Sequence, residues 1–487
     1  MASRRNFMNL QKQKKMRASL PKNNLLLAIL FLVFSNVRAQ DSTKLSYADF
    51  HRMVYTAHPL AKQADLLTLN ARYNLMLAKG NFDPVLSAEY NNKFFSGKNY
   101  YSLLSTMASV PLWFGPEIKA GFDQNTGAYV NGEELTPLEG LFYAGVKVPL
   151  GQGLLIDQRR AAVKQARIFI QMSDQQRLQL LNELYYEAFK AYVNWHLAYQ
   201  NISVYRKGEE LSYKRLQFLR EMHAAGERSG MDTLEANVQW QTRQLERREA
   251  EVQFRNAALF LSVFLWNENE EPLELKETIV PQSAPKAEIP MALLNPDSLK
   301  ISIAGIDTIH PALAVYDAKL ESLEVDLRLK RDKLKPKLSA QYNFLTSENT
   351  DNWAISQNNY KWGLSFSMPL FLRQERGNIG MAEVKIMNAQ WELDNKRNEI
   401  ASKIRASWNE VIFYASQTEL LRNNVRNYEN LMEAERSRFL AGESTVFMMN
   451  TRESKVIEAA IKLNETEAKY HKAQAAFRYS VGLGFAN

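Results

Sequence analysis

The apolar positions of this chain follow two periods, and the two alternate along it. In 155–266 the period is helical. Leu178, Tyr185 and Tyr192 fall in one heptad register and Leu181, Ala188 and Trp195 in the other, which predicts a helix with a narrow apolar seam. No proline occurs between Pro149 and Pro272, and only Gly208 interrupts the run between Gly153 and Gly226. A helix over 155–223 would be about 100 Å long at 1.5 Å per residue. The cluster Ala224-Ala225-Gly226-Glu227-Arg228-Ser229-Gly230 then predicts a turn, and 231–266 a returning helix.

Before this hairpin, 46–79 reads as helix broken at His58-Pro59. The period then changes to two. Leu86, Ala88, Tyr90 and Phe94 alternate with Ser87, Glu89, Asn91 and Lys93, and alternation recurs over 101–114, after Pro116, and over 141–150. The segment 125–140 reads as loop. These lengths suit strands that cross a membrane, about 9–11 residues each, and equally an antiparallel sheet with one wet face.

At His310-Pro311 the pattern starts again. Pro84-x-Leu86-Ser87-Ala88-x-Tyr90 matches Pro336-x-Leu338-Ser339-Ala340-x-Tyr342, as His58-Pro59 matches His310-Pro311, all at an offset of 252. Strands are expected over 337–344 and 360–368. Val148-Pro149-Leu150 matches Met368-Pro369-Leu370 at offset 220, so the second copy is 32 residues shorter between its strands, and 101–122 is expected to be an added hairpin in the first. A second long hairpin follows. Its seams are Ile404, Val411, Val425, Met432 and Ile400, Tyr414, Leu421, Tyr428, and its turn is Ala441-Gly442-Glu443. The chain therefore divides into a first repeat, 40–266 (strands 84–150, long helical hairpin 155–266), a proline-rich connector, 267–309, and a second repeat, 310–487 (strands 336–370, long helical hairpin 377–482).

Composition changes this picture at the N-terminus. Eight Lys or Arg and no acid occur in 1–39, with an unbroken apolar run at 25–34 and small residues before a cut ahead of Gln40. This predicts a secretory signal peptide, since ten apolar residues are too few to span a bilayer. The remaining chain holds 53 basic and 53 acidic residues, so the formal charge of +8 belongs to the export signal and gives no support to nucleic-acid binding. No cysteine is present, and no apolar run of transmembrane-helix length follows residue 39. A membrane location would have to be reached through strands.

Candidate chemistry is sparse. The six histidines (His51, His58, His196, His223, His310, His471) are scattered, and neither H-E-x-x-H nor a phosphate loop occurs. Gly151-Gln152-Gly153 reads as a break between strand and helix. Met432, Met448 and Met449 read as packing before soft-metal ligands. No catalytic, cofactor or metal site is assigned.

The duplicated order, the Pro-Leu steps and the two Ala-Gly-Glu turns resemble the TolC-type outer-membrane efflux protein family, the outer-membrane factors of tripartite efflux and type I secretion systems. That resemblance implies a mainly α chain with a membrane β-barrel portion: a trimeric β-barrel of two principal strands per repeat, twelve in all, continued by a periplasmic α-helical barrel, with the connector in an equatorial belt. It implies no enzyme, but a passive exit duct at the cell outer membrane, exporting small molecules or proteins. A periplasmic adaptor would dock on the helix tips, Gly226, Glu227, Gly442 and Glu443, and link the duct to an inner-membrane transporter. Pro149 and Pro369 would mark the strand-to-helix transitions. Asp232 and Glu235, at i and i+3 beyond the first tip, are periplasmic gate candidates. Asp232 fits equally a first-turn acid facing the helix dipole. The competing reading is a soluble periplasmic coiled-coil adaptor or scaffold.

Overall fold

A computed structural model describes residues 44–286, 305–306, 310–347 and 358–484. The expected signal peptide and most of the connector beyond residue 286 lie outside the described residues. The chain opens with β1 (Lys44–Leu45), α1 (Tyr47–Ala57) and α2 (Pro59–Gly80). Four strands follow, β2 (Val85–Phe95), β3 (Lys98–Pro111), β4 (Glu117–Thr126) and β5 (Leu141–Pro149), and then α3 (Gln158–Ala224) and α4 (Gly230–Ser262). After β6 (Val280–Pro281) come α5 (Pro311–Asp332), β7 (Lys337–Thr346), β8 (Tyr360–Ser367), α6 (Arg373–Leu440) and α7 (Val446–Ser480). The return helix stops at Ser262, short of residue 266, and Trp266 instead bridges to Pro272. The second long helix begins at Arg373, four residues before its expected start, and runs through Gly377 and Gly380.

The repeated His-Pro dipeptide has a local cause. His58 Nδ1 accepts from the amide of Leu60 at 3.1 Å, and His310 Nδ1 accepts from that of Ala312 at 3.1 Å. Each imidazole caps a helix whose first residue is proline, where the missing N–H costs nothing.

The two arms of each long hairpin are unequal. α3 has 67 residues and α4 has 33; α6 has 68 and α7 has 35. The half of α3 near the sheet is covered instead by α2 and α5. Arg177 pairs with Asp65 of α2 at 2.7 Å, and Ala161 and Ile168 pack with Val325 and Leu329 of α5. α5 also reaches α6 through Lys319–Glu392 and Arg331–Glu383. Among the described residues each repeat has a core midway along its long helix. In the first, Tyr185, Tyr192, Trp195, Leu181 and Ala188 pack against Phe50, Val54, Leu261 and Leu275; in the second, Ile400, Ile404 and Val411 pack against Leu313 and Phe477. Leu178 departs from its register and stands 42% exposed, because it lies beyond the reach of the α1 core. Toward the tips Val425, Met432, Leu421 and Tyr428 are only half-buried.

The six larger strands form one antiparallel sheet in the order β2-β3-β4-β5-β7-β8. This corrects the expectation of two strands from the first repeat. The added hairpin, β3–β4, is woven into the sheet between β2 and β5, because β3 bonds along both edges, Ala108 facing Leu86 on one side and Ala120 on the other. Among the described residues the sheet thus holds six strands, not four.

Candidate functional site: a two-faced sheet, its junction and two helix tips

Register sorts the side chains of the sheet into two faces. Val110, Ile118, Val146, Tyr342 and Trp362 lie across one another on five successive strands, and Val148, Ala340 and Leu364 continue the same face. The opposite face carries Lys147 beside Gln341, Asn343 beside Lys361, and Ser339 bonded to Ser365 at 2.6 Å. No described element covers the apolar face: Leu364 is 64% and Phe366 69% exposed. Every residue of the outer strands β2 and β8 is exposed, and among the described residues each of these strands leaves one edge unpaired. In water such a surface aggregates; in lipid an open edge leaves backbone groups unsatisfied. No described helix is long and apolar enough to cross a membrane.

The strand-to-helix junction is pinned from below. Pro149 ends β5, and Pro369 stands two residues past the end of β8. Leu150 and Gln152 donate their amides to Leu338 and Pro336 carbonyls, and Gly153 donates to the buried carboxylate of Asp332 at 2.6 Å. Asp332 also accepts from Lys335 at 2.6 Å. Gly151-Gln152-Gly153 therefore breaks strand from helix, as read. Arg160 donates to the Gly153 and Leu154 carbonyls and holds the turn from the helix side.

The two tips close in the same way. The amide of Glu227 bonds to Met222 O and that of Gly226 to His223 O; Glu443 bonds to Arg438 O and Gly442 to Phe439 O. Gly226 (φ 77°) and Gly442 (φ 79°) supply the left-handed residue this closure requires. Gly226, Glu227, Gly442 and Glu443 are all exposed. A small core joins the tips: Leu216, Leu219 and Ala236 with Phe439, Val446 and Met449. Met449 is thus packing.

Asp232 and Glu235 have different surroundings. Asp232 sits half-buried in the first turn of α4, behind the Ser229 cap, where its charge faces the helix N-terminus. Glu235, one turn on, accepts from Asn450 Nδ2 of α7 at 3.2 Å. The tips differ further. Behind the second lies a buried acid, Glu435, which accepts from Ser444 at 2.6 Å with Arg452 at 3.6 Å. The Ser444 hydrogen bond, aided by the arginines, holds its carboxyl below the usual carboxylate range. The guanidinium of Arg228 lies 5.0 Å above the Phe439 ring and links the tips.

One group of residues escaped the sequence reading. Glu453 of α7, 5% exposed, lies between Arg215 of α3 and Arg243 of α4; it bonds Arg215 directly, and Arg243 Nε is 3.9 Å away. Arg243 also bonds Glu246 at 2.8 Å and Ser454 at 2.6 Å. The available signal was position, since Arg243 stands seven residues from each of two buried alanines, Ala236 and Ala250, in a seam that otherwise takes apolar side chains. Among the described residues no group of His, Asp or Glu side chains is arranged to hold a metal ion.

The architecture is an antiparallel sheet carried on two long helical hairpins. Residues 309–483 match the family model described as outer membrane efflux protein. The fold is similar to that of the outer-membrane channel OprN (TM-score 0.63, 15% identity, 89% of this chain and 90% of that one). It is also similar to the CmeC outer membrane channel of Campylobacter jejuni (0.61, 14%, 96% and 94%) and to the outer membrane protein VceC of Vibrio cholerae (0.61, 12%, 90% and 97%). No curated protein matches the sequence. By family model and by fold, the chain is similar to the TolC-type outer-membrane efflux proteins.

Proposed function

We propose that this protein is the outer-membrane exit duct of a tripartite efflux or secretion system, a passive channel rather than an enzyme. The observation that carries the reading is the sheet with one uncovered apolar face and two open edges, continued directly into helices about 100 Å long. Three copies close the edges, β8 of one meeting β2 of the next, into a barrel of eighteen strands. The half-buried lower seams of α6 find neighbours in the same assembly, as a helical barrel in the periplasm. The connector forms the belt around it, and residues 1–39 direct export. The exposed tips at Gly226, Glu227, Gly442 and Glu443 receive the adaptor, which joins the duct to an inner-membrane transporter. Pro149 and Pro369 mark the level at which membrane strand becomes periplasmic helix. Asp232 and Glu235, repeated by three-fold symmetry, form a cation-favouring ring at the entrance. A soluble adaptor would leave the apolar sheet face in water.

The test is to fractionate cells producing the full chain, then measure stoichiometry by native mass spectrometry and conductance in planar bilayers. Outer-membrane recovery, a trimer and ion conduction are expected. A monomer in the soluble periplasm would overturn the reading.

A further inference from the structure

A cavity of about 600 Å³ opens where the sheet meets the helices. Its lining includes Lys79 at the end of α2, Trp113 in the β3–β4 turn, and Arg160, Lys164 and Arg167 on the first turns of α3; Glu321 is the one acid in the lining. Arg160 is engaged by Asp157 and by backbone carbonyls. Lys79, Lys164 and Arg167 are exposed and have no ion-pair partner among the described residues. Arg160 and Lys164 also line a second groove of about 520 Å³ with Arg328 and Arg331 of α5 and with Asp332 and Lys335 at its end, where Arg328, Arg331 and Lys335 are held by Glu324, Glu383 and Asp332. Beside these cations stand Trp113, 77% exposed, and Phe114 and Leu155, both exposed. Aromatic and aliphatic side chains at the end of a membrane sheet, with unpaired cations on the adjoining helix turns, match the two layers of a bilayer surface, acyl boundary and anionic headgroup.

We propose that this junction binds the phosphate headgroup of an anionic phospholipid of the periplasmic leaflet, with Lys79, Lys164 and Arg167 holding the phosphate and Trp113 packing on the glycerol and upper acyl chain. The proposal rests on the reading of the sheet as membrane-spanning. It gives the added β3–β4 hairpin a role, since its turn supplies Trp113.

The full-length protein is placed in nanodiscs of equal phosphatidylglycerol and phosphatidylcholine, and the lipids retained are counted by native mass spectrometry. Wild type retains phosphatidylglycerol in preference. Combined Lys79→Gln, Lys164→Gln and Arg167→Gln lowers that preference about tenfold or more, Trp113→Ala lowers retention, and Lys79→Arg with Lys164→Arg preserves it. Equal retention of both lipids by wild type, or an unchanged triple variant, overturns the proposal. Release of the lipid by millimolar inorganic phosphate alone assigns the site to a free anion and also overturns it. Conductance is recorded on the same samples. A conducting protein without lipid preference removes the lipid site alone, and one that neither inserts nor conducts removes the channel reading with it.

Discussion

Glu453 is the residue on which the three helices behind the tips depend. Its carboxylate is buried between two arginines from different helices. A buried pair adds little net stability while intact, but removing one partner leaves an uncompensated charge, at a cost of about 3–5 kcal/mol. Glu453→Ala is therefore expected to lower the thermal unfolding temperature sharply, whereas Glu458→Ala, at an exposed pair on the same helix, changes it little. Equal effects of the two in a circular-dichroism melt would refute the assignment. His310 gives a pH dependence of definite sign. Burial, with the charge of Lys396 nearby, pulls its pKa down to about 4, and its Nδ1 must stay unprotonated to cap α5. Between about pH 6.5 and 4 the unfolded chain binds a proton that the folded one refuses, so stability is full above that window and falls as the pH drops through it. His310→Asn keeps a cap and should flatten the fall of melting temperature over that window. Parallel curves for variant and wild type would exclude this cause.

At the scale of the element, the two faces of β8 predict opposite tolerances. Leu364 and Ser365 are neighbours in sequence, but Leu364 belongs to the uncovered apolar face and Ser365 to the polar one. In the proposed barrel Leu364→Lys should cost up to about 2–4 kcal/mol of stability, and Ser365→Lys near zero. Urea unfolding in liposomes measures the difference, and a reversed order would mean the faces are assigned the wrong way round. Much of this element was legible beforehand. Alternation over 360–368 names the face directly, because the side-chain period of a strand is two. The seams of α3 were legible for the same kind of reason, except at Leu178, which stands exposed because the covering helix α1, a segment more than 100 residues away, packs on Leu181, Tyr185 and Tyr192 instead. Pairing partners were not legible. Nothing in the alternation of 101–122 states that β3 bonds to β2 and β4 at once.

For the whole molecule, the proposed gate turns on the unequal tips. The second is fastened by Glu435, Ser444 and Arg452, while the first carries Asp232 and Glu235, with Glu235 tied to Asn450. Replacing both acids, Asp232→Ala with Glu235→Ala, is expected to raise single-channel conductance and to weaken cation selectivity if they form the proposed ring of charge; the variant also loses a bond between α4 and α7. Unchanged conductance and selectivity would remove the gate. The candidate residues could be named from sequence because an acid pair follows one Ala-Gly-Glu turn and not the other. That Glu235 engages α7 could not be, because Asn450 lies 215 residues away.

By itself the sequence determined the period of every long element, the duplication, the two glycine turns and the resemblance to outer-membrane efflux proteins. These are local or self-comparing signals: heptads, alternation and positive-φ positions are written within a few residues of where they act. Only the tertiary structure decided how many strands enter the sheet, which helix covers which half of α3, and that Arg215, Arg243 and Glu453 meet. Those facts depend on contacts between distant segments, whose geometry no local period encodes.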